Sequence, residues 1–388
     1  MMHDAGAFAP SFPVPSRLDA YVAERSFDRP TLVVDVDRVE TQFRALKAGL
    51  GRADIHYAVK ANPAREIIAR LVDLGSHFDA ASRGEIELVL TEGADPRDVS
   101  FGNTIKKVAD IKWAYDQGIR LFAADADEEL EKLAEHAPGS KVYIRIIVEN
   151  SMADWPLSRK FGCDGATALR LMDRAVELGL EPVGLSFHVG SQTRQSAFWG
   201  PTLDAVAGVW NAARANGHDL TVLNLGGGFP AFYGEAIEAP TQYAASVMAQ
   251  VEARFGAVET IMAEPGRGLV AEAGVIVAEV MLASRKSDND LHRWVYLDIG
   301  RFSGLAETEG EAIRYQFETA RDGDEMGPCV LAGPSCDSAD VLYEKRPVML
   351  PVTLKAGDRV IIRNTGAYTS TYSSVNFNGF PPLAVEVI

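Results

Sequence analysis

Cysteine is scarce in this 388-residue chain. Only Cys163, Cys329 and Cys336 occur, in no C-x-x-C arrangement. An odd, widely spaced set excludes a disulfide framework and a cysteine zinc site, and suits a reducing compartment. The seven histidines form no H-x-x-x-H pair, so nothing supports a metal centre. No run of 18 apolar residues occurs, which excludes a hydrophobic spanning helix. The opening "MMHDAGAFAPSFPVPS" has no basic stretch followed by an apolar core, so the protein is expected to be soluble and cytoplasmic, with this proline-rich opening trailing as an arm. Basic blocks are missing too. With 54 acids against 38 bases the net charge is −16, which repels a nucleic-acid backbone or an anionic membrane. The acidity serves solubility or focuses a cationic small substrate, and composition alone does not choose.

What is present is ordinary globular material, 47% hydrophobic and 24% charged, long enough for a large core and a second domain. Short β-branched or aromatic runs alternate with segments of helical apolar spacing. The runs are "DIHYAVK" (54–60), "SHFDAAS" (76–82), "VSFGNT" (99–104), "RLFAADA" (120–126), "KVYIRIIV" (141–148), "PVGLSFHVG" (182–190), "TVLNLGGG" (221–228) and "TIMAEPGRG" (260–268). Eight such units predict an α/β chain built on a (β/α)8 TIM-like barrel, with a doubly wound open sheet as second choice. Beyond residue 270 the helical spacing thins and strands predominate. The predicted organisation is an N-terminal arm and strand over 1–35, a barrel over 36–272 and a β-rich, sandwich- or barrel-like domain over 273–388. "PTLVVDVDRV" (30–39) reads as a strand joining that last domain.

Chemistry in this barrel gathers where strands end. Lys60, Asp79, Asn103, Arg145, His188, Ser191, Gly226, Gly227, Gly228, Glu264 and Arg267 all stand at predicted strand ends, where core packing does not call for them. "GGGFPA" formally fits a dinucleotide fingerprint, but Pro230 interrupts it and no strand ending in an acid follows. Three glycines after the seventh strand, with Arg267 after the eighth, suit a phosphate instead. The plain alternative is that the glycines relieve crowding at the turn. A lysine beside a phosphate cup points to pyridoxal 5′-phosphate, whose aldehyde condenses with an amine. Glu264 is the candidate partner for its ring nitrogen, His188 for its ring face and Ser191 for its phosphate. Taken singly, His188 reads as a core histidine, Asp79 as a turn residue and Arg145 as an ion-pair member; their joint placement reverses that. "ADWPLSRKFG" (153–162) reads equally as a lid or a surface loop.

The motifs "YAVKAN", "FHVGSQ", "LGGGFP", "EPGR", "GPSCDSAD" and "GAYTSTYSSVNFNGF" resemble those of the alanine-racemase-fold, pyridoxal-phosphate-dependent decarboxylases, most nearly the ornithine and lysine decarboxylases. The resemblance runs from about residue 30 to the end, with the motifs in order. It implies a homodimer with shared active sites, the "GPSCD" loop coming from the partner. It implies decarboxylation of a small cationic amino acid: L-ornithine to putrescine, with L-lysine to cadaverine as a second reaction. Lys60 then resembles the lysine that carries the cofactor, bordered by Asp79 and Arg145. Glu264 resembles the ring-nitrogen partner and His188 the stacking residue. Ser191, Gly226 to Gly228, Arg267 and Tyr368 resemble the phosphate cradle. Cys336 resembles the thiol that returns a proton to Cα, Asp337 the receiver of the distal amine and Phe377 a pocket wall. "DIGRFSGLAETEGEA" departs from the family pattern for a second acid, leaving Glu307 or a bridging water in that place. A glutamate, not an arginine, at the ring nitrogen argues against a racemase. Asp337 after Cys336 argues against a diaminopimelate decarboxylase, which remains the alternative substrate class. A binding protein without catalysis is the alternative of another kind.

Overall fold

Between Ser16 and Val34, strand propensity and turn chemistry produce a helix and a strand, where the sequence predicts an arm and a strand. The computed structural model describes residues 16–148 and 160–388. Ser16 caps the helix Arg17–Ala23 through a reciprocal capping box with Asp19, a signal legible as S-x-x-D. Strand β1 covers Thr31–Val34, all buried. The 30–39 run is therefore half strand: Asp35 ends it, its carboxylate accepting from the Asp37 N–H, and a helix runs from Val36 to Leu50.

The chain divides into two units, one built mainly from residues 40–230 and 237–268, the other from the segment ending at Val39 with residues 231–236 and 269–388. In the first unit, eight parallel strands close in sequence order: β2 (Asp54–Ala58), β3 (His77–Ala80), β4 (Val99–Phe101), β5 (Leu121–Ala124), β6 (Lys141–Arg145), β7 (Glu181–Ser186), β8 (Val222–Asn224) and β9 (Thr260–Ala263). β9 returns to β2 through the pairing Ile55↔Ala263. The strands are mostly buried along their length and mainly apolar, with buried polar residues such as His56, Asp79, Ser100, Ser186 and Asn224 among them. Each paired strand is shorter than the apolar run that predicted it. The run continues past its last paired residue into the turn that lines the barrel's carboxyl end, and that turn carries the polar groups. Residues 153–159 of the proposed lid, 153–162, lie outside the described residues.

In the second unit, β1 and β10 (Gly274–Ser284), β11 (Arg293–Leu297), β12 (Gln316–Thr319), β13 (Met326–Ala332), β14 (Val341–Leu342), β15 (Val348–Pro351), β16 (Arg359–Arg363) and β17 (Ala384–Val387) form one nine-stranded sheet. β10 organises it. Its first half pairs with β1 and β16, and after an irregularity between Val280 and Leu282 its second half pairs with β11. β1 also pairs in parallel with β17, so the two ends of the described chain meet in this sheet. No helix among the described residues is long and apolar enough to cross a membrane.

Candidate active site

Lys60 does not sit on a strand. β2 ends at Ala58, and Val59–Ala61 make a single 3-10 turn. Pro63 disfavours helical geometry in the residue before it, so Asn62 is extended and the turn stops there. Two side chains hold the bend: buried Tyr57 donates its hydroxyl proton to the Asn62 carbonyl (2.9 Å), and Asn62 Oδ1 accepts from the Ala64 N–H (3.1 Å). Lys60, half exposed, turns its Nζ to within 3.0 Å of Asp79 Oδ2 on neighbouring β3. Asp79 is buried, and its Oδ1 has no hydrogen-bond partner among the described residues. Gly102 makes the room, since a Cβ there would stand 1.8 Å from that oxygen.

Glu264 follows β9. Its Oε1 accepts from Asn224 Nδ2 at 2.5 Å, and burial, together with the charge of Asp79, raises its pKa above the usual carboxylate range against the opposing pull of Lys60. Arg145 ends β6, its guanidinium 5.3 Å from the Phe161 ring centroid. It also joins Lys60 among the cations acting on His188, whose pKa burial and those two cations push down to about 3. That imidazole is neutral. Its Nδ1 accepts the Gly190 N–H at 2.9 Å, so the ring proton resides on Nε2. Arg267, buried, donates from Nε (3.3 Å) and Nη2 (3.1 Å) to Ser191 Oγ. Lys60, Asp79, Arg145, His188, Ser191, the glycines, Glu264 and Arg267 thus occupy one end of one barrel.

The three glycines are not equivalent. A Cβ on Gly226, where φ is +66°, would meet the Phe187 carbonyl oxygen at 2.1 Å, so backbone crowding alone requires glycine there. The Gly226 N–H is moreover committed to Asn224 Oδ1 at 2.9 Å, which removes it from the set of donors expected to face a phosphate. A Cβ on Gly227 would instead come 2.9 Å from His188 Nε2 and 3.1 Å from the Glu264 carbonyl oxygen. Its missing side chain keeps the space between them open. Asn103, also at a strand end, donates Nδ2 to the Ala81 carbonyl and is accounted for by turn structure.

The remaining expected site residues belong to the second unit. Cys336 and Asp337 are exposed on the loop after β13. Asn378 Oδ1 accepts from the Cys336 backbone N–H (3.0 Å) and thiol (3.4 Å), which brings "FNGF" to the cysteine. Phe377, partly exposed, packs edge-on against Phe302 at 5.3 Å. Glu307 is buried, unlike Asp337. Tyr368 holds φ at +55°, the left-handed region that a bulky residue adopts only at a cost in strain. Two residues escaped the sequence reading. Asn224 is one. The other is buried Asp340, whose carboxylate accepts from the Arg301 N–H (2.7 Å), the Ser335 N–H (3.2 Å) and Ser335 Oγ (2.7 Å), tying the cysteine loop to the turn after β11. Glycine at 300 and 333 offered a faint signal, because a Cβ at either would strike that carboxylate.

Comparison with known proteins shows the family. Residues 36–271 match the model for the pyridoxal-dependent decarboxylases, pyridoxal binding domain. The chain is 34% identical over 351 residues to the lysine/ornithine decarboxylase of Selenomonas ruminantium, covering 90% of this chain and 87% of that protein. It is similar in structure to the lysine/ornithine decarboxylase of Vibrio vulnificus complexed with cadaverine (TM-score 0.85, 33% identity, 96% of this chain and 99% of that one). It is similar also to the Paramecium bursaria Chlorella virus arginine decarboxylase (TM-score 0.85, 28% identity, 97% and 99%).

Proposed function

Since the chain belongs to the pyridoxal-dependent decarboxylases, we propose that it removes the α-carboxylate of L-ornithine to give putrescine, and that of L-lysine to give cadaverine in the same site. The protein is a pyridoxal-phosphate-dependent carboxy-lyase acting on a basic amino acid. The residues fit the cofactor: a lysine amine on a fixed turn, a half-buried carboxylate on which that amine's charge acts, and, at Gly227, a glycine whose bare backbone comes close to a neutral imidazole. When bound, pyridoxal phosphate withdraws the electron pair left on Cα as carbon dioxide departs.

Each side chain then has one task. Lys60 holds the cofactor and releases the diamine, and Asp79 holds Lys60. Glu264 would accept a hydrogen bond from the protonated ring nitrogen, keeping the positive charge there. Neutral His188 would lie against the ring face. The Gly227 and Gly228 amides, Ser191, Arg267 and Tyr368 receive the phosphate. Cys336 delivers a proton to Cα, Asp337 pairs with the distal ammonium, and Phe377 and Glu307 shape that end. The observation that carries the reading is the half-buried acid Glu264, held by Asn224 at the same barrel end as Lys60. A carboxylate opposite the ring nitrogen favours full electron withdrawal. An acidic protein of net charge −16 also attracts a cationic substrate. Exposed Tyr372, Val375, Phe377 and Phe380 near the cysteine loop support a homodimer in which the partner supplies Cys336.

Ornithine, lysine, arginine and meso-diaminopimelate, supplied separately with pyridoxal phosphate, test the reading by product mass. Putrescine and cadaverine are expected. Agmatine or lysine as the main product overturns it.

A further inference from the structure

Asn224 is fully buried at the last residue of β8, and it closes a ring of three hydrogen bonds. Its Nδ2 donates to Glu264 Oε1 (2.5 Å), its Oδ1 accepts the Gly226 N–H (2.9 Å), and the Gly226 carbonyl accepts the Glu264 N–H (2.8 Å). We propose that Asn224 is a positioning residue that couples the two anchors of the cofactor, fixing which oxygen Glu264 offers to the ring nitrogen and how the glycine turn meets the phosphate.

The cofactor is a rigid planar ring, so its nitrogen and its phosphate are received well only if the two protein anchors keep a fixed separation. β8 and β9 are neighbours, with Asn224 opposite Met262, which puts the turn after β8 beside Glu264. One side chain then spans both anchors. Its orientation is dictated by chemistry: a flipped amide would set NH2 against the Gly226 N–H and a carbonyl against the carboxylate. With Oε1 occupied, Oε2 is left for the ring.

An aspartate here has the same shape and keeps the acceptor for Gly226, but sets a second carboxylate against Glu264. Two such acids share one proton near neutrality. The other charged or titratable groups acting on Glu264 are Asp79, Lys60, Arg145 and Tyr143. All four are unchanged by the substitution, so a new pH dependence belongs to the new pair. The inference rests on Glu264 serving the ring nitrogen, and it is read through cofactor binding rather than turnover.

The test is titration of apoprotein with pyridoxal phosphate at about pH 6 and about pH 9, following cofactor absorbance, for the parent, Asn224→Asp, Asn224→Ala and Glu264→Gln. For Asn224→Asp, Kd is expected to rise roughly tenfold or more at the higher pH, the scale of one hydrogen bond to a charged group. It is expected to return toward the parent value at the lower pH, where the shared proton replaces the amide hydrogen. For Asn224→Ala, binding weakens at both. Parental affinity in Asn224→Asp at both pH values, or equal weakening at both, overturns the inference. Should Asn224→Ala not fold, the pH comparison within the folded aspartate variant still decides. A parent-like Glu264→Gln with an unchanged absorbance profile removes Glu264 from the ring nitrogen, and the inference falls with it by a distinguishable route.

Discussion

Lys60 Nζ and Asp79 Oδ2 stand 3.0 Å apart, joining the ends of the first two barrel strands. The relationship is asymmetric. Lys60 is half exposed, whereas Asp79 is buried with one oxygen unpartnered among the described residues, so the acid is the fixed member and the amine the movable one.

That asymmetry predicts separable effects. Lys60→Ala removes the amine that borohydride would fix to the cofactor, and no covalent adduct is expected by mass. Asp79→Asn keeps the adduct but removes an acid whose charge raises the pKa of Glu264. The acid limb of the cofactor absorbance should therefore move to lower pH. An unmoved limb would show that Asp79 and Glu264 are not coupled.

Glu264 has a consequence for stability as well. Its folded pKa lies above the ordinary glutamate value of 4.5. The folded apoprotein therefore keeps a proton that the unfolded chain has already lost, and stability falls as pH rises from that value through the raised one. Glu264→Gln removes this cost. Its apoprotein should melt higher than the parent above neutrality, with the gap closing as pH falls toward 4.5. Melting curves across that range decide the matter; a constant gap contradicts it.

On the proposed function, Cys336→Ala should bind cofactor normally yet turn over about 10²-fold or more slowly, the scale of a lost general acid. Asp337→Asn should raise KM for ornithine by roughly tenfold with a smaller change in kcat, since the role proposed for it is pairing with the distal ammonium rather than acting at the reacting carbon. Steady-state kinetics on both variants separate the two roles.

Asp340 organises the loop that carries both residues. Asp340→Ala leaves the Ser335 and Arg301 amides without their acceptor. We expect a loss of about 1–3 kcal/mol in stability, measured by denaturant unfolding. Turnover should fall through misplacement of Cys336 while cofactor affinity is kept.

Much of this was legible in the residues. The alternation of apolar runs carried the barrel, because a strand buried on both faces must be apolar along its length. Lys60 stood out because an ammonium beside an apolar run needs a reason. The 30–39 run misled, since "TLVVDVDRV" has strand propensity throughout and only the hydrogen bond of Asp35 to the following turn divides it. The Ser16–Asp19 capping box was readable and passed over.

Sequence by itself determined the residue types at the strand ends, because local spacing encodes strand, turn and helix; the cofactor followed from those types and the class of reaction from the resemblance of the motifs to a known family. Tertiary structure alone decided which of those groups touch. Asn224 meets Glu264 across 40 residues of chain, and Asp340 meets Arg301 across 39. The bonds from the Gly226 N–H to Asn224 and from the Gly190 N–H to His188 each join residues two apart in one turn and are local. The long-range pairings depend on distances in space, and no local propensity records them.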